Sequence, residues 1–238
     1  MVISDTPISP LIALRARIFE RVLLATLLFV LLTALAMVFY PGGTQTQPNR
    51  PGYAFSFNFF SDLGRTQSYN GAPNRVSAPL FSIALSLAGV SLMIFFATFA
   101  SFFGNGLWSR ALSLWGALMG IVAGVCFVGV AAVPANLNSP QHGIFVFWAF
   151  RAFLGAVLPF VLLIFTQKAY PKFGAWIFVI FTVFLLGYIG LITNGPSPKS
   201  PGGLFIQVVG QKIIVYASVA CVGLQAIVAR QFLRSQRL

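Results

Sequence analysis

Two basic side chains, Arg151 and Lys212, interrupt long apolar stretches of this sequence. An ionisable group inside a membrane-spanning segment is costly and indicates a functional site by default. The chain has fifteen basic residues and three acidic ones, and Asp62 is the one acid expected on the side of the membrane nearest both bases. Because one carboxylate does not neutralise two cations, the remaining positive charge favours an anionic ligand such as a lipid phosphate or carboxylate.

Neutral hydrogen-bonding residues complete this candidate site. They lie around Asp62, at the starts of the second and fourth apolar stretches, and beside Lys212. The predicted ligand-binding residues are Asn58, Ser61, Asp62, Asn74, His142, Arg151, Gln211 and Lys212, with Gln207 as a further neutral group.

Two other arrangements of the charged residues remain open. Arg151 and Lys212 lie roughly 10 Å inside their stretches, so both side chains are long enough to extend to the membrane surface without forming a site. Alternatively, Asp62 forms an ion pair with one of them, within about 4 Å. That pair would hold the segment around Asp62 over a pocket between the fourth and sixth spans.

An intramembrane lipid hydrolase is an alternative, because Ser61, Asp62 and His142 have the side chains used in acyl transfer. Such a device requires Ser61 beside His142. Catalytic zinc needs three protein ligands plus water, whereas the chain has one histidine and two cysteines, which lie within separate apolar stretches. The sequence therefore predicts no metal. It also contains no phosphate-binding glycine loop of the kind that would indicate a nucleotide. No cofactor is predicted.

Composition indicates an integral membrane protein. Hydrophobic residues make up 58% of the 238 residues and charged residues 8%, whereas about a quarter of the residues of an ordinary globular domain are charged. The net charge of +12 does not predict nucleic-acid binding, because the bases lie in short loops and at chain ends rather than on one soluble face. Membrane lipids, including anionic ones, are the expected partners.

The apolar pattern predicts a single all-α domain, residues 1–238, with six membrane-spanning helices. Pro159 should kink the fourth span. A cleaved signal peptide is an alternative for the first, since Ala34-Leu35-Ala36 resembles a cleavage site. The predicted spans are residues 22–40, 77–99, 111–133, 144–166, 174–193 and 204–229.

The distribution of basic residues predicts the orientation. Nine Lys and Arg residues flank the spans on the side that holds both termini, and four lie on the other side. Because basic residues accumulate on the cytoplasmic side, both termini are expected there. Asp5 and Glu20 would share that side, and the connection formed by residues 41–76 would lie outside the cytoplasm.

This long connection is the segment most suggestive of function. Tyr53, Phe55, Phe57 and Phe59 alternate with small or polar residues, which predicts a strand and a small β-ribbon. Asn70-Gly71 is typical of a hairpin turn. The alternative is an aromatic flap that lies in the membrane interface.

A stripe of glycines runs along the third span, formed by Gly116, Gly120 and Gly124. Small residues at this spacing allow close approach of another helix. We expect helix packing within the bundle, and the stripe is also a candidate surface for a homo- or hetero-oligomer. A structural or accessory subunit of a membrane complex therefore remains a third functional alternative.

The segment Asn58-x-x-Ser61-Asp62-Leu63-Gly64, with Asn74 before the second span and His142 after the third, resembles a motif of a prokaryotic family. That family consists of six-helix integral membrane proteins of unknown function. A looser resemblance extends to the Frag1/DRAM/Sfk1 membrane proteins. The resemblance implies the six-helix fold and a bacterial or archaeal plasma membrane, and it implies no chemistry. Our leading hypothesis is a protein that binds or translocates an anionic amphiphile in an outer-leaflet pocket.

Overall fold

A computed structural model of the chain describes residues 9–167 and 170–236. Asp5, Lys168 and Arg237, which contributed to the predicted charge distribution, lie outside the described residues. Six α-helices, each long and apolar enough to cross a membrane, account for most of this part of the chain. They are α1 (Pro10–Val38), α2 (Ser77–Ala100), α3 (Leu107–Ala132), α4 (Ser139–Thr166), α5 (Lys172–Asn194) and α6 (Gly203–Ser235).

The predicted six-helix membrane fold is confirmed, and several helices extend past their apolar runs. α1 begins at Pro10, twelve residues before the predicted membrane span, because proline is well suited to the first turn of a helix. It continues through the alanines of the cleavage-site pattern to Val38. α4 is continuous through Pro159.

The helices form a closed ring. Each packs against the next in sequence, and α6 packs against α1. Consecutive helices run in opposite directions, so the connection 39–76 lies at the same end of the ring as the α3–α4 and α5–α6 connections. We call this the loop end. Which end faces the cytoplasm stays a prediction.

Phenylalanines fill the interior of the ring at the end opposite the loop. Phe99 of α2 lies 5.0 Å from Phe160 of α4 and 5.8 Å from Phe178 of α5, measured between ring centroids. Phe96 lies 5.8 Å from Phe153. Since α2 and α5 are not neighbours in the ring, these contacts cross its centre and close it.

The glycine stripe of α3 is used inside the chain. A Cβ atom at Gly120 would lie 2.3 Å from the Phe96 ring of α2, and one at Gly116 would lie 2.6 Å from the Phe160 ring of α4. All three stripe glycines are buried by this packing. The stripe is therefore occupied by helix packing within the chain, as expected. Oligomerisation itself stays a prediction.

The predicted β-ribbon is wrong. Among the described residues the connection has two isolated bridges, Gly42 with Pro51 and Gln67 with Pro73, and no strand. The chain turns at residues 54–58, where the amides of Phe57 and Asn58 both donate to the Ala54 carbonyl oxygen.

The aromatic side chains of this turn are arranged as in the alternative prediction, an aromatic flap. Phe55 and Phe57 are exposed, and their rings lie against Tyr216 and Phe205 of α6. The tight turn at Asn70-Gly71 does form. Gly71 has φ +86°, in the left-handed region that favours glycine, and its amide donates to the Ser68 carbonyl oxygen.

Candidate functional site

A short 3-10 helix, Phe60–Gly64, covers the loop end of the ring and packs against α1, α2 and α3. We call it the roof helix. Asp62 lies within it, and its carboxylate accepts hydrogen bonds from the Phe59 amide at 2.8 Å and the Asn58 side-chain amide at 3.2 Å. Burial raises the pKa of Asp62, while the hydrogen bond from Asn58 and the charge of Arg65 act in the opposite direction.

Asn58 is fully buried and joins three parts of the connection. Its side-chain oxygen accepts from the Ala54 amide at 2.9 Å, and its side-chain nitrogen donates to the Gly43 carbonyl oxygen at 2.9 Å and to Asp62. This side chain fixes the turn that replaces the predicted strand, since an asparagine that bonds nearby backbone favours a turn over an extended chain.

The far end of the roof helix is held by Asn74 and Ser77. The side-chain nitrogen of Asn74 donates to the carbonyl oxygens of Leu63 at 2.8 Å and Arg65 at 2.9 Å, and the Ser77 hydroxyl donates to Leu63 at 3.2 Å. At Gly64, a Cβ atom would lie 2.6 Å from the Phe81 ring. The Asn-x-x-Ser-Asp-Leu-Gly segment and Asn74 therefore build and seat the roof.

Two residues of α6 fasten the roof from below. The Lys212 ammonium group donates to the Asn58 carbonyl oxygen at 2.6 Å and to the Tyr53 hydroxyl at 2.8 Å. The Gln211 side-chain oxygen accepts from the Phe60 amide at 2.7 Å. Lys212 is buried, and its ammonium group lies 4.5 Å from the centre of the Phe60 ring.

The expected direct ion pair of Asp62 with Arg151 or Lys212 is wrong. Within the described residues, 9–167 and 170–236, there is one ion pair. It joins Arg230 and Glu20 at the end of the ring opposite the roof. Asn58 lies between the two charges at the roof, because its backbone oxygen bonds Lys212 and its side-chain amide bonds Asp62. The two charges are thus connected through one neutral residue.

Arg151 lies away from the roof. Its guanidinium group donates to the Phe147 carbonyl oxygen at 3.2 Å and to the Thr193 hydroxyl at 2.8 Å, and it stacks on the Phe147 ring at 3.4 Å. Phe147 is one turn nearer the loop end, and Thr193 is one residue before the end of α5. This geometry matches the alternative in which the side chain extends toward the membrane surface.

His142 makes its contact at the α3–α4 connection. Its Nδ1 atom is 2.6 Å from the Val133 carbonyl oxygen, and its Nε2 atom is buried without a partner among the described residues. The contact with a carbonyl oxygen requires the proton on Nδ1. No hydrogen bond joins Ser61, Asp62 and His142 in the part of the chain that the structure describes. The three side chains therefore do not form a linked triad.

A cavity of about 110 Å³ lies beneath the roof helix. Helices α1, α2, α3, α4 and α6 surround it, and its lining on α2 extends from Phe81 to Leu92. This length of helix corresponds to about three turns, so the cavity is elongated along the ring axis. Most of the lining is apolar. Ser61 and Gln211 contribute polar groups near the roof, and Thr26, Ser91 and Ser218 contribute hydroxyls deeper in the ring.

The structure brings together six of the eight predicted ligand-binding residues around the roof helix, and Arg151 and His142 make their contacts elsewhere. Of the eight, only Ser61 and Gln211 line the cavity. Gln207, the further neutral group, donates to the Leu191 and Pro196 carbonyl oxygens and holds the α5–α6 connection. The deep hydroxyls were not predicted, because a serine or threonine in a span is usually bonded to its own helix.

An apolar, elongated cavity in the membrane can hold a hydrocarbon chain by van der Waals contact. Across the described ranges, no three His, Cys, Asp or Glu side chains come together as a metal site requires. Comparison with protein-family models, with curated proteins and with solved structures finds no match to this chain. The resemblance noted from the sequence stays a prediction.

Proposed function

We propose that this membrane protein binds an amphiphile, with the apolar chain in the cavity and the polar headgroup at the loop end. The single observation that carries the proposal is the cavity itself, which is mostly apolar and has the polar groups of Ser61 and Gln211 near the roof. Apolar pockets with a few convergent polar groups are the usual form of small-molecule sites.

The charges of the loop end favour an anionic headgroup. Arg50, Arg65, Arg75 and Lys199 lie at this end, whereas Asp62 is buried beneath the connection. Lys212 uses two of its three protons on Tyr53 and Asn58. We therefore assign the attraction to the surface arginines and lysine, and we assign to Lys212 the role of holding the roof.

Binding on one side fits the ring better than transfer across the membrane. The phenylalanines around Phe99 close the interior at the opposite end, so the cavity has no continuation there. If both termini are cytoplasmic, the ligand comes from the outer leaflet. Any movement of the ligand would then be exchange within that leaflet.

A cavity-filling variant tests the proposal. Ala88 lines the cavity on α2, whereas Ala34 is exposed on α1. Ala88→Leu should displace the bound chain, and Ala34→Leu adds the same bulk at the lipid-facing surface. Lipids retained by each purified protein are measured by native mass spectrometry.

We expect a bound amphiphile in the wild type and in Ala34→Leu, and at least a tenfold lower occupancy in Ala88→Leu with unchanged helix content. Equal occupancy in all three proteins would place the lipid outside the cavity and overturn the proposal. Absence of any retained or added amphiphile from the wild type would overturn it as well.

A further inference from the structure

The hydroxyl of Ser91 is the unusual polar group of the cavity. Ser91 is 8% exposed, and its oxygen has no hydrogen-bond partner among the described residues. Two other buried hydroxyls in the helices are bonded: Thr33 donates to the Phe29 carbonyl oxygen and Ser113 donates to the Arg110 carbonyl oxygen. An unpaired hydroxyl in an apolar interior is costly, and a ligand that bonds it removes that cost.

Two further hydroxyls of the cavity lining belong to Thr26 and Ser218. A Cβ atom at Gly223 of α6 would lie 3.4 Å from the Thr26 hydroxyl, so Ser218 lies five residues nearer the roof than the part of α6 that Thr26 faces. Thr26 and Ser218 donate to carbonyl oxygens of their own helices, at Leu23 and Ile214. Their oxygens can still accept, whereas the Ser91 proton is free to be donated.

The cavity therefore has polar groups near the roof and again within its apolar part. Gln211 near the roof and Ser218 below it both lie on α6, seven residues apart. Two helical turns of this kind span roughly 10 Å. Apolar side chains such as Phe150 and Val215 also line the cavity. A plain hydrocarbon chain would leave the Ser91 hydroxyl unpaired.

We infer that the cavity selects an amphiphile that carries a second oxygen along its apolar chain, and that Ser91 recognises this oxygen. The chemical class is an acyl chain, or another elongated apolar molecule, with a hydroxyl or carbonyl group along its length. The oxygen of a hydroxyl or carbonyl ligand can accept the proton that Ser91 has free to donate. This inference rests on the proposed function, and it adds the specificity of the site.

Matched fatty acids test the inference. The delipidated protein is loaded with a fluorescent fatty acid, which is then displaced by stearate or by 10-hydroxystearate. The wild type should bind 10-hydroxystearate about 2- to 10-fold more tightly, the range that one net hydrogen bond supports. Ser91→Ala should remove this preference without changing the affinity for stearate, and Ser91→Thr, which keeps the hydroxyl, should retain it.

Ser86→Ala is the matched control, because Ser86 is on the same helix and does not line the cavity. Ser91→Cys, which is close in size but a weak donor, serves as a second variant. Equal affinity of the wild type for the two acids, or a preference that survives in Ser91→Ala, would overturn the inference and leave amphiphile binding intact. Displacement by neither acid would overturn the inference and count against the proposed function.

Discussion

At the scale of single residues, the two buried charged side chains at the roof, Asp62 and Lys212, are connected by a neutral residue, Asn58. The sequence indicated that Asp62 and Lys212 belong to one site, and both lie at the roof. The absence of their direct contact was not predictable, because it depends on where Asn58 places its carbonyl and amide groups. Ser91 was missed for a related reason, since a lone serine in an apolar span gives no signal of whether its hydroxyl is bonded.

Removal of the unpaired hydroxyl should stabilise the empty protein. We expect Ser91→Ala to raise the free energy of unfolding of the delipidated protein by about 1 kcal/mol, since a buried unsatisfied group costs about 1–3 kcal/mol. The corresponding rise in Tm is roughly 2–4 °C. Ser86→Ala controls for the higher helix propensity of alanine, and an equal shift in both variants would show that the Ser91 hydroxyl carries no penalty.

Asp62 should make stability depend on pH. Because burial raises its pKa above the usual value of 3.8, the folded protein binds this proton more tightly than the unfolded chain does. The contribution is fully present below about pH 4 and is lost as the pH rises through the folded pKa. Asp62→Asn should flatten the profile of Tm against pH from about 4 upward, whereas a slope equal to that of the wild type would show that Asp62 is not responsible.

At the scale of elements, the sequence predicted the helices well and the connection poorly. Six apolar runs are sufficient to predict six spans, and their bounds differ because the helices extend past the apolar runs into polar flanks, as at Pro10. The alternation at Tyr53–Phe59 predicted a strand, but one asparagine side chain at position 58 bonds the backbone locally and turns the chain. The cavity depends on five helices at once, so no single stretch encodes it.

The contact between the roof helix and α2 should be sensitive to one added methyl group at Gly64. Gly64→Ala places a Cβ atom 2.6 Å from the Phe81 ring, which must move or lift the roof. We expect a loss of about 1–3 kcal/mol in the free energy of unfolding, as for other overpacked sites. Gly187→Ala in α5 has open space around it and should be neutral or slightly stabilising. Thermal unfolding compares the two, and an equal response would contradict the described contact.

At the scale of the whole molecule, the ring has two different halves. Aromatic packing closes one half, and a roofed cavity occupies the other. If the orientation predicted from the basic residues is right, the cavity lies in the half of the membrane that faces away from the cytoplasm.

Cysteine labelling in intact cells tests this orientation, with Thr46→Cys in the connection and Ser235→Cys at the end of α6. Both positions are exposed, and the native Cys126 and Cys221 are buried. An impermeant maleimide should label the first variant directly and the second only after permeabilisation. The reverse labelling pattern would show that the topology is opposite to the prediction.

The central claim is that an apolar chain occupies the cavity, and photocrosslinking tests it most directly. Stearate with a diazirine group in mid-chain is irradiated with the purified protein, and the labelled residues are mapped by mass spectrometry. We expect labels on cavity-lining residues of α2 and α6, such as Ala88 and Val219, and their loss in Ala88→Leu. Labels confined to lipid-facing residues such as Ile83 and Val90, unchanged in that variant, would contradict the claim.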